Sequence, residues 1–92
     1  MYADKDVLTL CTNEREARRE LGEEGVRRLK RRIKELESAT TYRDLFEGPG
    51  RWHPLHGDRA GTVAAEVTGA LRLVVSFLEE ALALVISIED YH

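Results

Sequence analysis

The sequence has one cysteine, two prolines and one tryptophan, so it lacks most of the residues that staple or stiffen small proteins. A lone Cys11 cannot close an internal disulfide, and nothing in the chain demands an oxidising compartment. No long apolar run occurs. The most apolar stretch, near the C-terminus, is interrupted by Glu79 and Glu80, which excludes a bilayer-spanning segment there and predicts no membrane association. The opening residues, Met-Tyr-Ala-Asp-Lys-Asp, place acidic groups before a very short apolar stretch, unlike a secretory signal. A strong excess of one charge is missing too. Fourteen Lys and Arg stand against seventeen Asp and Glu, for a net charge of -3, so the chain as a whole is not an obvious polyanion binder. There is no internal repeat and no low-complexity segment. What is there is 42% hydrophobic and 34% charged over 92 residues. That composition predicts one globular domain, residues 1–92, residing in the cytoplasm.

The charge is unevenly placed. Residues 1–50 hold eleven cations and eleven anions, whereas residues 51–92 hold only Arg51, Arg59 and Arg72 against six carboxylates and also contain His53, His56 and His92. Basic charge concentrates in Arg27, Arg28, Lys30, Arg31, Arg32 and Lys34. Such a run is either the solvated face of a helix or a grip on phosphates. A sequence-reading DNA-binding helix is disfavoured, because the run offers cations and apolar groups but few base-reading polar ones.

Periodicity predicts the order of elements. Asp6 to Cys11, with Val7, Leu8 and Leu10 apolar and Thr9 β-branched, reads as an opening strand that joins the sheet. Thr12 or Asn13 offers a side-chain oxygen to cap a helix that ends near Gly22, and Asn13 with Glu16 has capping-box spacing. A second helix from Glu23 and Glu24 carries the stripe Val26, Leu29, Ile33 and Leu36. Thr41 and Asp44 would cap a short third turn bearing Leu45 and Phe46, stopped by Gly48-Pro49-Gly50. Then the period becomes two. Val63, Ala65 and Val67 alternate with polar or small residues. After a turn at Thr68-Gly69-Ala70, Leu71, Leu73, Val75 and Phe77 share a face. Glu79-Glu80 makes a second tight connection into Ala81–Ile88, apolar on both sides and expected to be covered on both. The prediction is an α+β fold, with an N-terminal helical hairpin packed on one face of a small antiparallel β-sheet.

Chemistry concentrates in two places. The loop Arg51-Trp52-His53-Pro54-Leu55-His56-Gly57-Asp58-Arg59-Ala60-Gly61 puts two imidazoles, two guanidiniums and a carboxylate in one segment. It reads either as a polar connector whose Trp52 plugs the core, or as a site with acid/base and phosphate-facing groups. The end, Glu89-Asp90-Tyr91-His92, carries groups able to move a proton near neutral pH, or is an exposed tail. Arg72 is expected on the strand face opposite Leu71, Leu73 and Val75. His53 and His56 with Asp90 and His92 make a poor metal set, since Pro54 separates the two loop histidines and no helical spacing supports them. Cys11 has no flanking base and reads as a small core residue.

Together these strings resemble a known family. The loop from His53 to Gly61, Arg72 within Leu71-Arg72-Leu73, and the closing Glu89-Asp90-Tyr91-His92 are similar to the HigB-like, proteic-killer branch of the RelE/ParE toxin superfamily. Leu10-Cys11-Thr12-Asn13, Leu21-Gly22 and Arg31-Arg32-Ile33-Lys34-Glu35-Leu36 before Ala39-Thr40 extend the resemblance over nearly the whole chain. The resemblance implies the toxin of a type II toxin–antitoxin pair, a ribosome-dependent endoribonuclease that cuts mRNA by acid–base chemistry without metal or cofactor. It implies catalytic roles for His53, Arg72, Asp90, Tyr91 and His92, with RNA contacts at His56, Arg59 and Arg51. The basic run, Arg27 to Lys34, would meet the ribosome or the antitoxin, a HigA-like helix-turn-helix protein held in a hetero-oligomer. The alternative is a non-catalytic protein on the same scaffold, either gyrase-directed or retaining only antitoxin binding.

Overall fold

The computed structural model describes residues 2–39, 42–48, 50–79 and 82–90, except the side chains of 42, 78, 79, 82–86 and 90. Asp4 starts the first element by accepting a hydrogen bond from Val7 N at 2.9 Å, and α1 (Lys5–Thr12) follows. The expected opening strand is therefore a helix. Val7, Leu10 and Cys11 fall at i, i+3 and i+4, a helical spacing that so short a run cannot distinguish from strand alternation. The two threonines of α1 satisfy their hydroxyls within the helix, donating to carbonyls one turn earlier, Thr9 to Lys5 O at 2.9 Å and Thr12 to Leu8 O at 2.6 Å.

Asn13 ends α1 and starts α2 (Glu14–Ser38), accepting from Glu16 N at 3.2 Å as its spacing predicts. Gly22 interrupts α2 with φ 78° and ψ 171°, a conformation essentially confined to glycine. Lys30 Nζ ion-pairs with Glu14, two positions that a straight helix would hold about 24 Å apart, so the chain folds back at Gly22 into the expected hairpin. Arg18 Nε bridges the bend to Glu23 at 2.6 Å. A short α3 (Tyr42–Phe46) inserts Leu45 into the core.

The sheet is an antiparallel meander in chain order: β1 (His53–Pro54), β2 (Thr62–Glu66), β3 (Leu71–Glu79) and β4 (Leu82–Asp90). The predicted turn after β2 forms, with Thr68 Oγ1 accepting from Ala70 N and Leu71 N at 3.2 and 3.1 Å. β3 and β4 pair as far as Glu79 and Leu82. The covering of Ala81–Ile88 on two faces concerns side chains that lie mostly outside the described residues.

One face of the sheet, Val63, Ala65, Val67, Leu73 and Val75, packs with Val7, Leu29, Leu45 and Trp52 in a single core. Burial of these side chains is the main driving force available to a chain without cross-links. Trp52 is only 4% exposed, and its Nε1–H donates to Glu35 Oε1 at 2.8 Å, so the loop tryptophan does plug the core while keeping its one polar atom satisfied. Among the described residues no helix is long and apolar enough to cross a membrane.

Candidate functional site

The second face of the sheet collects the polar strand residues. Directly opposed residues of antiparallel strands share a face, and the register gives two adjacent rows there. One is Glu66–Arg72–Glu89 across β2, β3 and β4. The other is His53–Ala64–Val74–Ser87 across all four strands. Two strand spacings and one pleat repeat separate His53 from Arg72, about 10 Å and about 7 Å respectively. Ala64 and Val74 between them have no exposed surface, so the face has an apolar floor. The β3–β4 ladder slips between Val74 and Val75, next to the Arg72–Glu89 pair, a place where bulges commonly redirect functional side chains.

Glu89 organises this face. Arg59, delivered by a 3-10 turn (Gly57–Arg59) between β1 and β2, forks onto it with Nη1–Oε1 2.9 Å and Nη2–Oε2 2.6 Å. Arg72 Nη2 reaches Oε1 at 3.4 Å and Ser87 Oγ donates to Oε2 at 2.5 Å. Thr62 Oγ1 donates to Arg59 O at 2.7 Å and fixes the turn. The bidentate Arg59 fork, with Ser87 and Arg72 adding to it, holds the Glu89 carboxyl down at about 2. The same contact raises the Arg59 pKa. So acidic a carboxylate is a poor general base at neutral pH, and its evident action is to position two guanidiniums.

His53 is exposed on the edge strand, with Nδ1 2.9 Å from Arg51 O. A carbonyl only accepts, so this bond requires the proton on Nδ1 and leaves Nε2 with the lone pair in the neutral ring. His56 is exposed at the start of the 3-10 turn, away from any described partner. Asp90 pairs through its backbone with Leu71, but its side chain lies outside the described residues, as do Tyr91 and His92 altogether. Among the described residues no three His, Cys, Asp or Glu side chains gather as metal ligands.

The basic run divides instead of forming one face. Arg28 and Arg32 join Gly50, Arg51 and Glu66 around a polar hollow of about 300 Å³. Lys30 and Lys34 line a more apolar groove of about 340 Å³ with Leu10, Cys11, Val26 and Ile33. Arg27 and Arg31 are exposed, Arg27 being ion-paired to Glu24. Burial pushes the Cys11 thiol up to about 11, which suits a packing residue and not a nucleophile.

Sequence reading singled out Arg59 and Arg72 but not the carboxylate that joins them. No sequence signal sets it there: counting outward from the predicted turn at Glu79-Glu80 would place Ser87 opposite Arg72, whereas the ladder pairs Glu79 with Leu82 and so puts Glu89 there.

Comparison with protein-family models finds no match, and neither does comparison with curated proteins. Among solved structures, the chain is similar to a YoeB/ParE toxin from Agrobacterium tumefaciens, with a TM-score of 0.64 and 23% sequence identity over 84% of this chain and 85% of that one. The helices and the four-stranded antiparallel sheet thus make up an α+β fold similar to that of this toxin.

Proposed function

We propose that the protein is the toxin of a toxin–antitoxin pair and that it cleaves mRNA on the ribosome, as its resemblance to the HigB-like branch implies. The observation that supports this most is the register that puts His53 and Arg72 on one face of a toxin-type sheet. In the reaction, a ribose 2′-oxygen loses its proton and attacks the adjacent phosphorus. The P–O5′ bond breaks and the 5′-oxygen takes up a proton, leaving a 2′,3′-cyclic phosphate and a 5′-hydroxyl. Nε2 of His53, with the Arg51 carbonyl holding the other ring nitrogen, is suited to one of the proton transfers. His92, assisted by Asp90 and Tyr91, is assigned the other. Arg72 supplies positive charge to the phosphorane-like transition state. Arg59, Arg51 and His56 contact the RNA, and a HigA-like antitoxin neutralises the protein in a cytoplasmic hetero-oligomer.

The test is end-mapping of mRNA on programmed ribosomes. Cuts that vanish with His53→Ala and with Arg72→Ala support the reading; intact message in the presence of folded wild-type protein refutes it. A non-catalytic role on the same scaffold, directed at gyrase or limited to antitoxin binding, is favoured by one feature: the hold of Glu89 on both arginines that should face the phosphate. Inhibition of gyrase supercoiling, or antitoxin binding with intact message, would establish it.

A further inference from the structure

We propose that the hollow lined by Arg28, Arg32, Gly50, Arg51 and Glu66 is a subsite for a backbone phosphate of RNA, lying beside the sheet face and outside the set of groups assigned to bond cleavage. It deepens the ribonuclease reading, since RNA is the ligand that reading brings to the protein.

Three guanidiniums from two distant parts of the chain converge there. Arg32 is only 11% exposed in its side chain and is held rigid. Its Nη1 donates to Glu35 Oε2 at 2.6 Å, while Trp52 Nε1 donates to the other carboxylate oxygen. Its Nε is a buried donor with no hydrogen-bond partner among the described residues. Arg28 spends Nε on Glu24 at 2.7 Å, which leaves its terminal amino groups to offer. Arg51 sits at φ 56°, a left-handed conformation that a non-glycine residue adopts at some strain, and its side chain has no ion-pair partner among the described residues. Gly50 makes the convergence possible, because a Cβ there would collide with Arg32, Glu35 and Trp52.

The lining decides the class of ligand. Apart from Gly50 every lining residue is charged, so a protein segment would find no pocket for an apolar anchor. A phosphodiester needs only charge and forked donors, which arginine supplies. The hollow is also continuous with the proposed site. Glu66 lines it and belongs to the Glu66–Arg72–Glu89 row, while Arg51 stands two residues before His53 and offers that ring its carbonyl. A strand lying over His53 and Arg72 would have a neighbouring phosphate within reach of Arg51 and Arg28.

The experiment measures binding of the full chain to a short single-stranded RNA, made uncleavable by 2′-O-methylation, across a salt series. Arg28→Gln and Arg51→Gln are each expected to weaken binding about tenfold and to lower the salt slope by about 0.7, the value for one lost single-strand contact. Arg19→Gln, which removes the same charge from an exposed ion pair outside the hollow and outside the basic run, is expected to leave the slope within error of wild type. Both hollow variants alter exposed or half-exposed side chains, and far-UV circular dichroism confirms that they fold. Equal slopes for all four proteins, or no RNA binding by the wild type, overturn the proposal. So does titration of inorganic phosphate into the hollow with RNA affinity insensitive to Arg28 and Arg51, or a dependence on these residues seen only with an acidic peptide. Absence of cleavage on ribosomes with the slope changes intact would refute the nuclease reading alone; cleavage with unchanged slopes would refute the hollow alone.

Discussion

At the scale of single residues, Glu89 has the most to answer for. Its carboxyl titrates at about 2 instead of 4.5 because Arg59, with Ser87 and Arg72, stabilises the ionised form. A depressed carboxylate adds stability above its unfolded value, near pH 4.5, and loses it as the pH falls toward 2. Partial exposure of the Arg59–Glu89 pair screens the gain to about 1 kcal/mol. Glu89→Gln is therefore expected to lower stability at neutral pH by about that amount and to flatten the acid limb between pH 4.5 and 2, as urea titrations across that range would reveal. An unchanged acid limb would mean that the ion pair does not form in solution. Arg51 makes the opposite case. Its left-handed backbone is better suited to glycine, so Arg51→Gly is expected to raise stability by about 0.5–1 kcal/mol. The same variant should weaken RNA binding, the pairing of effects expected where strain is retained for a function. Stability gained with no change in RNA affinity would show that the strain serves no such purpose.

At the scale of elements, the helical hairpin depends on one bend. A Cβ added at Gly22 would meet nothing within 4 Å, so space does not forbid a larger residue there. Its φ and ψ do. Gly22→Ala is accordingly expected to destabilise the protein by about 1–3 kcal/mol through backbone strain alone, measured by denaturant midpoint. A loss under about 0.5 kcal/mol would indicate that the bend relaxes into continuous helix, a change that would also break the Lys30–Glu14 pair. α1 teaches a different lesson. Val7 to Cys11 is compatible with either period, and its helical state follows from the Asp4 cap and the packing of Val7 into the core. By contrast, the strands from Val63 onward carry enough alternation, bounded by a turn with its own hydrogen bonds, to be legible in advance.

At the scale of the whole molecule, helices and sheet share one hydrophobic core, and the radius of gyration, 12.2 Å, agrees with the roughly 12 Å expected of a compact chain this long. Trp52 sits at the junction, buried against the core while bonded to Glu35 of α2. Unfolding followed by Trp52 fluorescence and by far-UV circular dichroism is expected to give coincident two-state transitions. Separated midpoints would show that the hairpin and the sheet unfold independently. Charge also reads differently at this scale. A net charge of -3 conceals cations gathered at the Arg28–Arg32–Arg51 hollow and at Arg59 and Arg72, with the carboxylates Glu35 and Glu89 acting as their supports.

The sequence by itself determined what depends on near neighbours: the Asn13 cap, the bend near Gly22, the turn at Thr68-Gly69-Ala70, the alternating strands, and Arg72 on the face away from Leu73 and Val75. These are set within a few residues by backbone sterics and side-chain period. Only the tertiary structure decided that the first apolar run is helical, that Glu89 gathers Arg59 and Arg72, and that Arg28 and Arg32 meet Arg51 beside Gly50. Those contacts join residues far apart in the chain, and their partners are selected by strand register and by the packing of α2 on the sheet, which no local pattern records.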